Sequence, residues 1–238
     1  MKEYKAYIFD MDGTVLNTIP DLRDAVNYSM GKRGHKHDFD DRVTGLLFGS
    51  AVKVAITRAL ALEAGYAEEE LEQVGTKRDL ITPRMDMEEV EKILEIYRPY
   101  YQIHCDDLTA PYEGTTELLR EIKRRGLKSA VVSNKPDEAV QKLNRDHFEG
   151  LFDYAIGESP AFARKPEPDM VLKSLEVLGV TAKESIYIGD TEIDLNTARS
   201  CGMECIAVTW GFRTRKFLTE HGAVRIADRP EEILAGPA

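Results

Sequence analysis

The sequence predicts an α/β fold in which a parallel sheet is flanked by helices and interrupted early by an all-helical insertion. Three observations carry this. Short apolar runs end in a polar or acidic residue and pass into a helical pattern; strand-like and helix-like segments alternate from about residue 113 onward; and residues 17 to 105 hold long helical patterns with no convincing strand. A core domain built from residues 1–16 and 106–238, with residues 17–105 as a helical insert, is the simplest account. The 238 residues suffice to bury a sizeable core in such an arrangement.

The elements follow in chain order. Tyr7-Ile8-Phe9 is a buried strand that ends at Asp10. Asp21 to Lys32, Val52 to Glu63 and Met87 to Tyr101 carry apolar residues at helical spacing and form the insert. Thr115 to Arg125 is the clearest amphipathic helix, with Leu118, Leu119 and Ile122 on one face and Gly126 as its stop. Ala130-Val131-Val132 is the next strand and ends at Ser133 and Asn134. Asp137 to His147 and Asp169 to Leu178 are helices opened by Pro136 and Pro168, where a missing N–H costs least. Ile186-Tyr187-Ile188-Gly189 leads to Asp190, and Ile206-Ala207-Val208 to Thr209.

Composition narrows the function. Hydrophobic residues make up 42% and charged residues 31%, which is the range of a folded globular chain rather than a disordered one. A net charge of −10 removes the electrostatic drive for binding DNA or RNA, so no nucleic-acid partner is expected. No run approaches the ~18 apolar residues of a membrane span. The first residues, Met1 to Phe9, carry no secretory apolar region, so a cytoplasmic protein is expected.

Cys105, Cys201 and Cys205 do not form a disulfide framework. Cys201 and Cys205 could lie one helical turn apart, but no His or third Cys is near them in sequence, and small buried thiols are the better account. His35 and His37 fall in a polar stretch that reads as a solvated loop, and Glu68-Glu69-Glu70 as a solvated helix start.

In a parallel sheet the carboxyl ends of the strands open on one edge, so Asp10, Ser133, Asn134 and Asp190 converge there. Asp10 and Asp12 are two carboxylates two residues apart at a strand end, with Gly13 to turn the chain. Phosphoryl transfer through a covalent intermediate needs a nucleophile and a group that protonates the leaving oxygen, and this pair can supply both. Asp190 adds a hard oxygen ligand, and Asp194 one turn later can back it up. Ser133 and Asn134 can donate to phosphate oxygens beside the helix start at Pro136, and Lys165 is the cation that balances Asp10 and the transferring group.

Taken in order, Asp10-Met11-Asp12-Gly13-Thr14, Ser133-Asn134-Lys135, Lys165-Pro166-Glu167-Pro168 and Gly189-Asp190 with Asp194 resemble the four-motif series of the haloacid dehalogenase-like (HAD) hydrolases. The resemblance implies a Rossmann-like core with a mobile helical cap. It implies Asp10 as nucleophile, Asp12 as acid/base, and Asp10, Asp12 and Asp190 as Mg²⁺ ligands, Asp12 through its backbone carbonyl. Thr14, Ser133, Asn134 and Lys165 are the substrate-binding residues expected, with Asp194 behind the metal ligands.

An Asp at position 12 points to phosphate esters rather than carbon–halogen or phosphonate bonds. Pro111-Tyr112-Glu113-Gly114 and Val208-Thr209-Trp210-Gly211 resemble the phosphoglycolate phosphatase-like branch, whereas Phe48-Gly49-Ser50-Ala51 matches that branch's Gly-Asn-Gly turn only at Gly49. Arg42, Lys53 and Arg58 lie near this loop and are either ligands for a substrate carboxylate or solvated surface. The expected activity is Mg²⁺-dependent hydrolysis of a small phosphorylated metabolite by a monomer or homodimer. The alternatives are a β-phosphoglucomutase-like sugar phosphomutase and a non-catalytic binding module. The small, apolar loop from Leu46 to Ala51 offers few hydrogen bonds to a hexose, which favours hydrolysis.

Overall fold

A computed structural model describes residues 4–235. The expected core segments reach residues 1 and 238, so their outermost three residues at each end lie outside the described residues. The chain divides into two compact units, Met1–Asn17 with Ala110–Ala238, and Thr18–Thr109.

The first unit opens with β1 (Ala6–Phe9) and β2 (Leu16–Asn17). The second holds α1 (Ile19–Lys32), α2 (Asp41–Leu47), α3 (Val52–Glu63) and α4 (Met87–His104). The chain then returns through β3 (Ala110–Pro111), α5 (Thr115–Arg124), β4 (Lys128–Pro136), α6 (Asp137–Phe148) and β5 (Tyr154–Glu158). It ends with α7 (Asp169–Leu178), β6 (Ser185–Gly189), α8 (Glu192–Ser200), β7 (Glu204–Val208), α9 (Arg215–Glu220), β8 (Arg225–Ala227) and α10 (Glu232–Ala235).

Among the described residues six strands pair in parallel in the order β5-β4-β1-β6-β7-β8, a Rossmann-like core with β1 near the centre. The chain builds outward from β1 on one side through β4 and β5, then crosses back to β6, β7 and β8. β1 therefore lies at the switch point, where the connections diverge and leave a crevice at the carboxyl ends of the strands.

Adjacent residues of one strand enter opposite layers, as the two-residue repeat requires. Phe9, Val131, Ile186 and Ile188 join Leu118, Leu119, Ile122, Val140 and Phe148 of α5 and α6 on one face. Ile8, Ala130, Val132 and Tyr187 meet Met170, Val171 and Leu175 of α7 on the other. Because both faces are covered, the central strands read as unbroken apolar runs.

The helical unit is closed by a carboxylate. Asp21, buried in the first turn of α1, accepts from the N–H of Leu108 at 2.9 Å, the N–H of Thr109 at 2.8 Å and the Thr109 hydroxyl at 2.7 Å. This stitch keeps the chain in the helical unit through Thr109, beyond the expected exit at residue 105.

Several expectations are corrected here. The stretch after α1 is the largely exposed loop expected, but His35 is half-buried within it: its ring stands 2.7 Å from Glu63 and 3.3 Å from Glu89, and Arg33 binds Glu89 at 2.7 Å. These partners are 28 and 54 positions away, beyond any local pattern. Leu46 and Leu47 finish α2 rather than lying in a loop. Arg42 and Lys53 are exposed, in keeping with the surface reading, and each pairs with a carboxylate, Glu68 at 2.7 Å and Glu91 at 2.5 Å. Arg58 is buried and donates to the carbonyls of Leu47 at 3.0 Å and Leu71 at 3.1 Å. Cys201 ends α8 whereas Cys205 lies on β7, so they do not share a helix; both thiols are free, and burial raises the pKa of each. No single helix among the described residues is long and apolar enough to cross a membrane.

Asp21→Ala strands buried donors of Leu108 and Thr109, and is expected to lower the unfolding free energy by about 2–4 kcal/mol in urea denaturation. A loss under about 0.5 kcal/mol shows that water replaces the carboxylate.

Candidate active site

The register explains why distant residues meet. Phe9 is paired with Val131 and with Ile188, so Asp10, just past β1, comes level with Val132 of β4 and Gly189 of β6, one residue before Ser133 and Asp190 on the same sheet edge. Asp10 still donates its N–H to the Ile188 carbonyl at 2.9 Å, which extends the ladder to the residue itself.

The Asp10 carboxylate is buried, and both its donors fall on Oδ1: the Met11 N–H at 2.6 Å and Lys165 Nζ at 2.8 Å. Oδ2 takes neither. Lys165, buried in turn, also donates to Asp194 Oδ1 at 2.9 Å and to the Tyr187 hydroxyl at 3.2 Å. Its three protons are thus committed, two of them to carboxylates. Burial works against the ammonium, but Asp10 and Asp194 outweigh it and hold the Lys165 pKa above the ordinary lysine value.

Asp194 is fully buried and fully engaged. Besides Lys165 it accepts from the Tyr187 hydroxyl at 3.2 Å, the Thr191 N–H at 3.1 Å and the Thr191 hydroxyl at 2.7 Å, at the first turn of α8. Asp190, also fully buried, accepts the Thr14 hydroxyl at 2.9 Å and the Phe212 N–H at 2.7 Å. Two glycines make room for it. A Cβ on Gly13, whose φ is +80°, would lie 2.3 Å from Asp190 Oδ2, and one on Gly211 would lie 2.3 Å from the same oxygen.

Asp10, Asp190 and Asp194 each offer an oxygen within 4.8 Å of the others. Three carboxylates against one ammonium leave, when all are ionised, an excess of two negative charges in a buried site. Burial first, and then Asp194, push the carboxyls of Asp10 and Asp190 up, the direction expected when like charges share a desolvated space. An all-oxygen donor set with this excess suits a hard divalent cation.

The other expected residues are placed as follows. Asp12 is turned from the trio toward Lys135, whose Nζ lies 3.2 Å from Oδ1 but out of line for a hydrogen bond. Ser133 is buried and its oxygen accepts the Lys135 N–H at 3.1 Å, which leaves the hydroxyl proton to be donated. Asn134 grips the backbone of Lys165, its Nδ2 donating to that carbonyl at 3.0 Å and its Oδ1 accepting that N–H at 2.8 Å. An amide matches a peptide group edge to edge, so Asn134 holds the Lys165 loop. Thr14 spends its proton on Asp190.

Tyr187, Lys135, the Phe212 N–H and the Trp210 indole, which donates to the Thr14 carbonyl at 2.9 Å, had no assigned role in the sequence reading. Tyr187 reads as a core residue of a strand, and a backbone N–H has no sequence signature. Lys135 and Trp210 are the two with a visible signal, standing inside Ser133-Asn134-Lys135 and Val208-Thr209-Trp210-Gly211.

Relatives agree with this architecture. Residues 7–208 match the family model described as haloacid dehalogenase-like hydrolase. A phosphoglycolate phosphatase from Pseudomonas savastanoi pv. phaseolicola is 27% identical over 234 residues, which is 98% of this chain and 79% of that protein. A phosphoglycolate phosphatase from Aquifex aeolicus is 27% identical over 87% of this chain and 86% of its own. The crystal structure of a "putative phosphoglycolate phosphatase" from Lactobacillus delbrueckii subsp. bulgaricus superposes with a TM-score of 0.94 at 48% identity, covering 97% of each chain. Sequence motifs, sheet order, site geometry and relatives therefore agree that this chain belongs to the haloacid dehalogenase-like hydrolases.

Proposed function

We propose that the chain is a Mg²⁺-dependent phosphatase of small phosphorylated metabolites that works through an aspartyl-phosphate on Asp10. The observation that carries this reading is the Asp10 carboxylate itself. It is buried at the centre of the sheet edge, oriented through one oxygen by Met11 and Lys165, and accompanied two residues later by a second carboxylate outside the charged trio.

Asp10 Oδ2 attacks phosphorus, the ester P–O bond breaks, and Asp12 gives its proton to the departing oxygen. Asp12 then takes a proton from the water that attacks the phosphorus, which releases inorganic phosphate and restores Asp10. Ser133 donates its hydroxyl proton to a phosphoryl oxygen, and Lys165 holds Asp10 in place and offsets its charge. Asp10, Asp190 and the backbone carbonyl of Asp12 would hold Mg²⁺, with Asp194 behind them, and the ion supplies the positive charge that lets a phosphate dianion approach a carboxylate. The names of the relatives make 2-phosphoglycolate, a compact dianionic ester with a carboxylate, the first substrate to assay.

Three measurements test this. Asp10→Asn keeps the shape but not the nucleophile, so kcat for any phosphate ester should fall by about 10³-fold or more with the fold intact by circular dichroism. Retention of a tenth of the activity removes Asp10 as the nucleophile. Asp12→Ala should slow phosphoglycolate hydrolysis by about 10²–10⁴-fold and nitrophenyl phosphate much less, since nitrophenolate departs without a proton. Equal losses on the two substrates speak against acid catalysis by Asp12.

The third concerns the cation. Mg²⁺ at about 100 times its Kd should raise Tm by about 5–10 °C, and Asp190→Asn should raise the metal-free Tm while abolishing that rise. A wild-type protein whose Tm ignores Mg²⁺ and whose hydrolysis survives chelation sinks the metal assignment.

A further inference from the structure

Against the Asp12–Leu16 turn stands a polar group that none of these roles uses. Tyr112 directly follows β3, and its backbone is pinned on both sides. Its N–H donates to the Val15 carbonyl at 3.2 Å, and its carbonyl accepts from the Thr115 N–H at 3.1 Å and the Thr115 hydroxyl at 2.7 Å. The aromatic side chain thus projects from a fixed base in the same segment that meets the Asp12–Leu16 turn.

The Tyr112 hydroxyl oxygen is buried and has no hydrogen-bond partner among the described residues. A buried hydroxyl left unpaired is destabilising, and the few that native proteins retain call for a functional account. Asp12 Oδ1, which has the Lys135 ion pair but no hydrogen bond, is the other such side-chain atom of this region among the described residues; the remaining ones lie on Thr18, Thr44 and Ser50 of the helical unit and on Asn144 of α6. Burial, with the negative charges of Asp190 and Asp12, raises the phenol well above its ordinary pKa, so it keeps its proton. A buried phenol hydroxyl held beside the turn that carries Asp12, with no acceptor of its own, is a donor short of a partner.

We propose that Tyr112 is a ligand-contact residue of this site, its hydroxyl donating a hydrogen bond to an anionic oxygen of the bound phosphate ester. The inference rests on the phosphatase reading and adds to it a residue that lies outside the four recognised motifs. The ester arrives with oxygens on both its phosphoryl group and its remaining part, and either can satisfy the phenol. A hydrogen bond to a charged oxygen is among the stronger ones, so its loss is measurable.

Tyr112→Phe removes one oxygen and keeps the ring, so the packing survives. The expected signature is a gain in stability with a loss of binding: metal-free Tm rises by about 1–4 °C as the unpaired hydroxyl disappears. In Mg²⁺, calorimetric Kd for inorganic phosphate and KM for 2-phosphoglycolate should rise by about 5- to 30-fold. A rise in both identifies a phosphoryl oxygen as the acceptor, and a rise in KM alone identifies an oxygen of the leaving group. A variant whose Kd and KM both stay within twofold of wild type overturns the inference, whatever its Tm, and leaves Tyr112 a packing residue. If the wild-type protein neither hydrolyses phosphate esters nor binds phosphate with Mg²⁺, the phosphatase reading fails and this inference with it. Wild-type activity alongside an indistinguishable Tyr112→Phe removes the inference alone.

Discussion

The ammonium of Lys165, buried between the carboxylates of Asp10 and Asp194, is the contact on which the rest of the site depends. Taking an ammonium and two carboxylates out of water costs several kcal/mol per ion, and only well-formed hydrogen bonds offset it. Each partner is accordingly supported. Asn134 holds the Lys165 backbone, Thr191 and Tyr187 saturate Asp194, and Met11 orients Asp10. Removing the Lys165 ammonium would leave two buried carboxylates uncompensated beside each other.

The arrangement is balanced for a guest rather than for itself. Asp190 adds a third carboxylate that Lys165 does not touch, and it is oriented by a hydroxyl and a backbone N–H, neither of which cancels a charge. The excess negative charge makes the site hospitable to a cation, and a bound cation in turn makes it hospitable to a phosphate. Stability is given up locally so that binding can recover it, a common trade at active sites. The unpaired Tyr112 hydroxyl is a smaller instance of the same trade.

The topology makes such a cluster possible at all. Asp10, Lys165 and Asp190 are drawn from loops separated by most of the chain, and no helix or hairpin could bring them into one cluster. A parallel sheet does so because consecutive strands point the same way and discharge their loops on one edge, while both faces are sealed by helices. The apolar alternation that sends Phe9 to one layer and Ile8 to the other also sets the level at which Asp10 emerges.

The amino-acid sequence determined the elements and the reagents. Helix α3, from Val52 to Glu63, and helix α7, from Asp169 to Leu178, follow from apolar spacing and from proline at an N-terminus, and the strand ends at Asp10 and Asp190 from apolar runs that stop at a carboxylate. These are local signals, written within a few residues of where they act. What each polar group bonds to was decided only in three dimensions. Asn134 and Thr14 looked like substrate ligands, yet one grips the Lys165 backbone and the other donates to a carboxylate 176 positions away. Arg58 looked like surface or a substrate clamp and is instead spent on buried carbonyls. A hydrogen bond forms over about 3 Å of space and is indifferent to separation along the chain, so the partner is known only when the fold has chosen the neighbours.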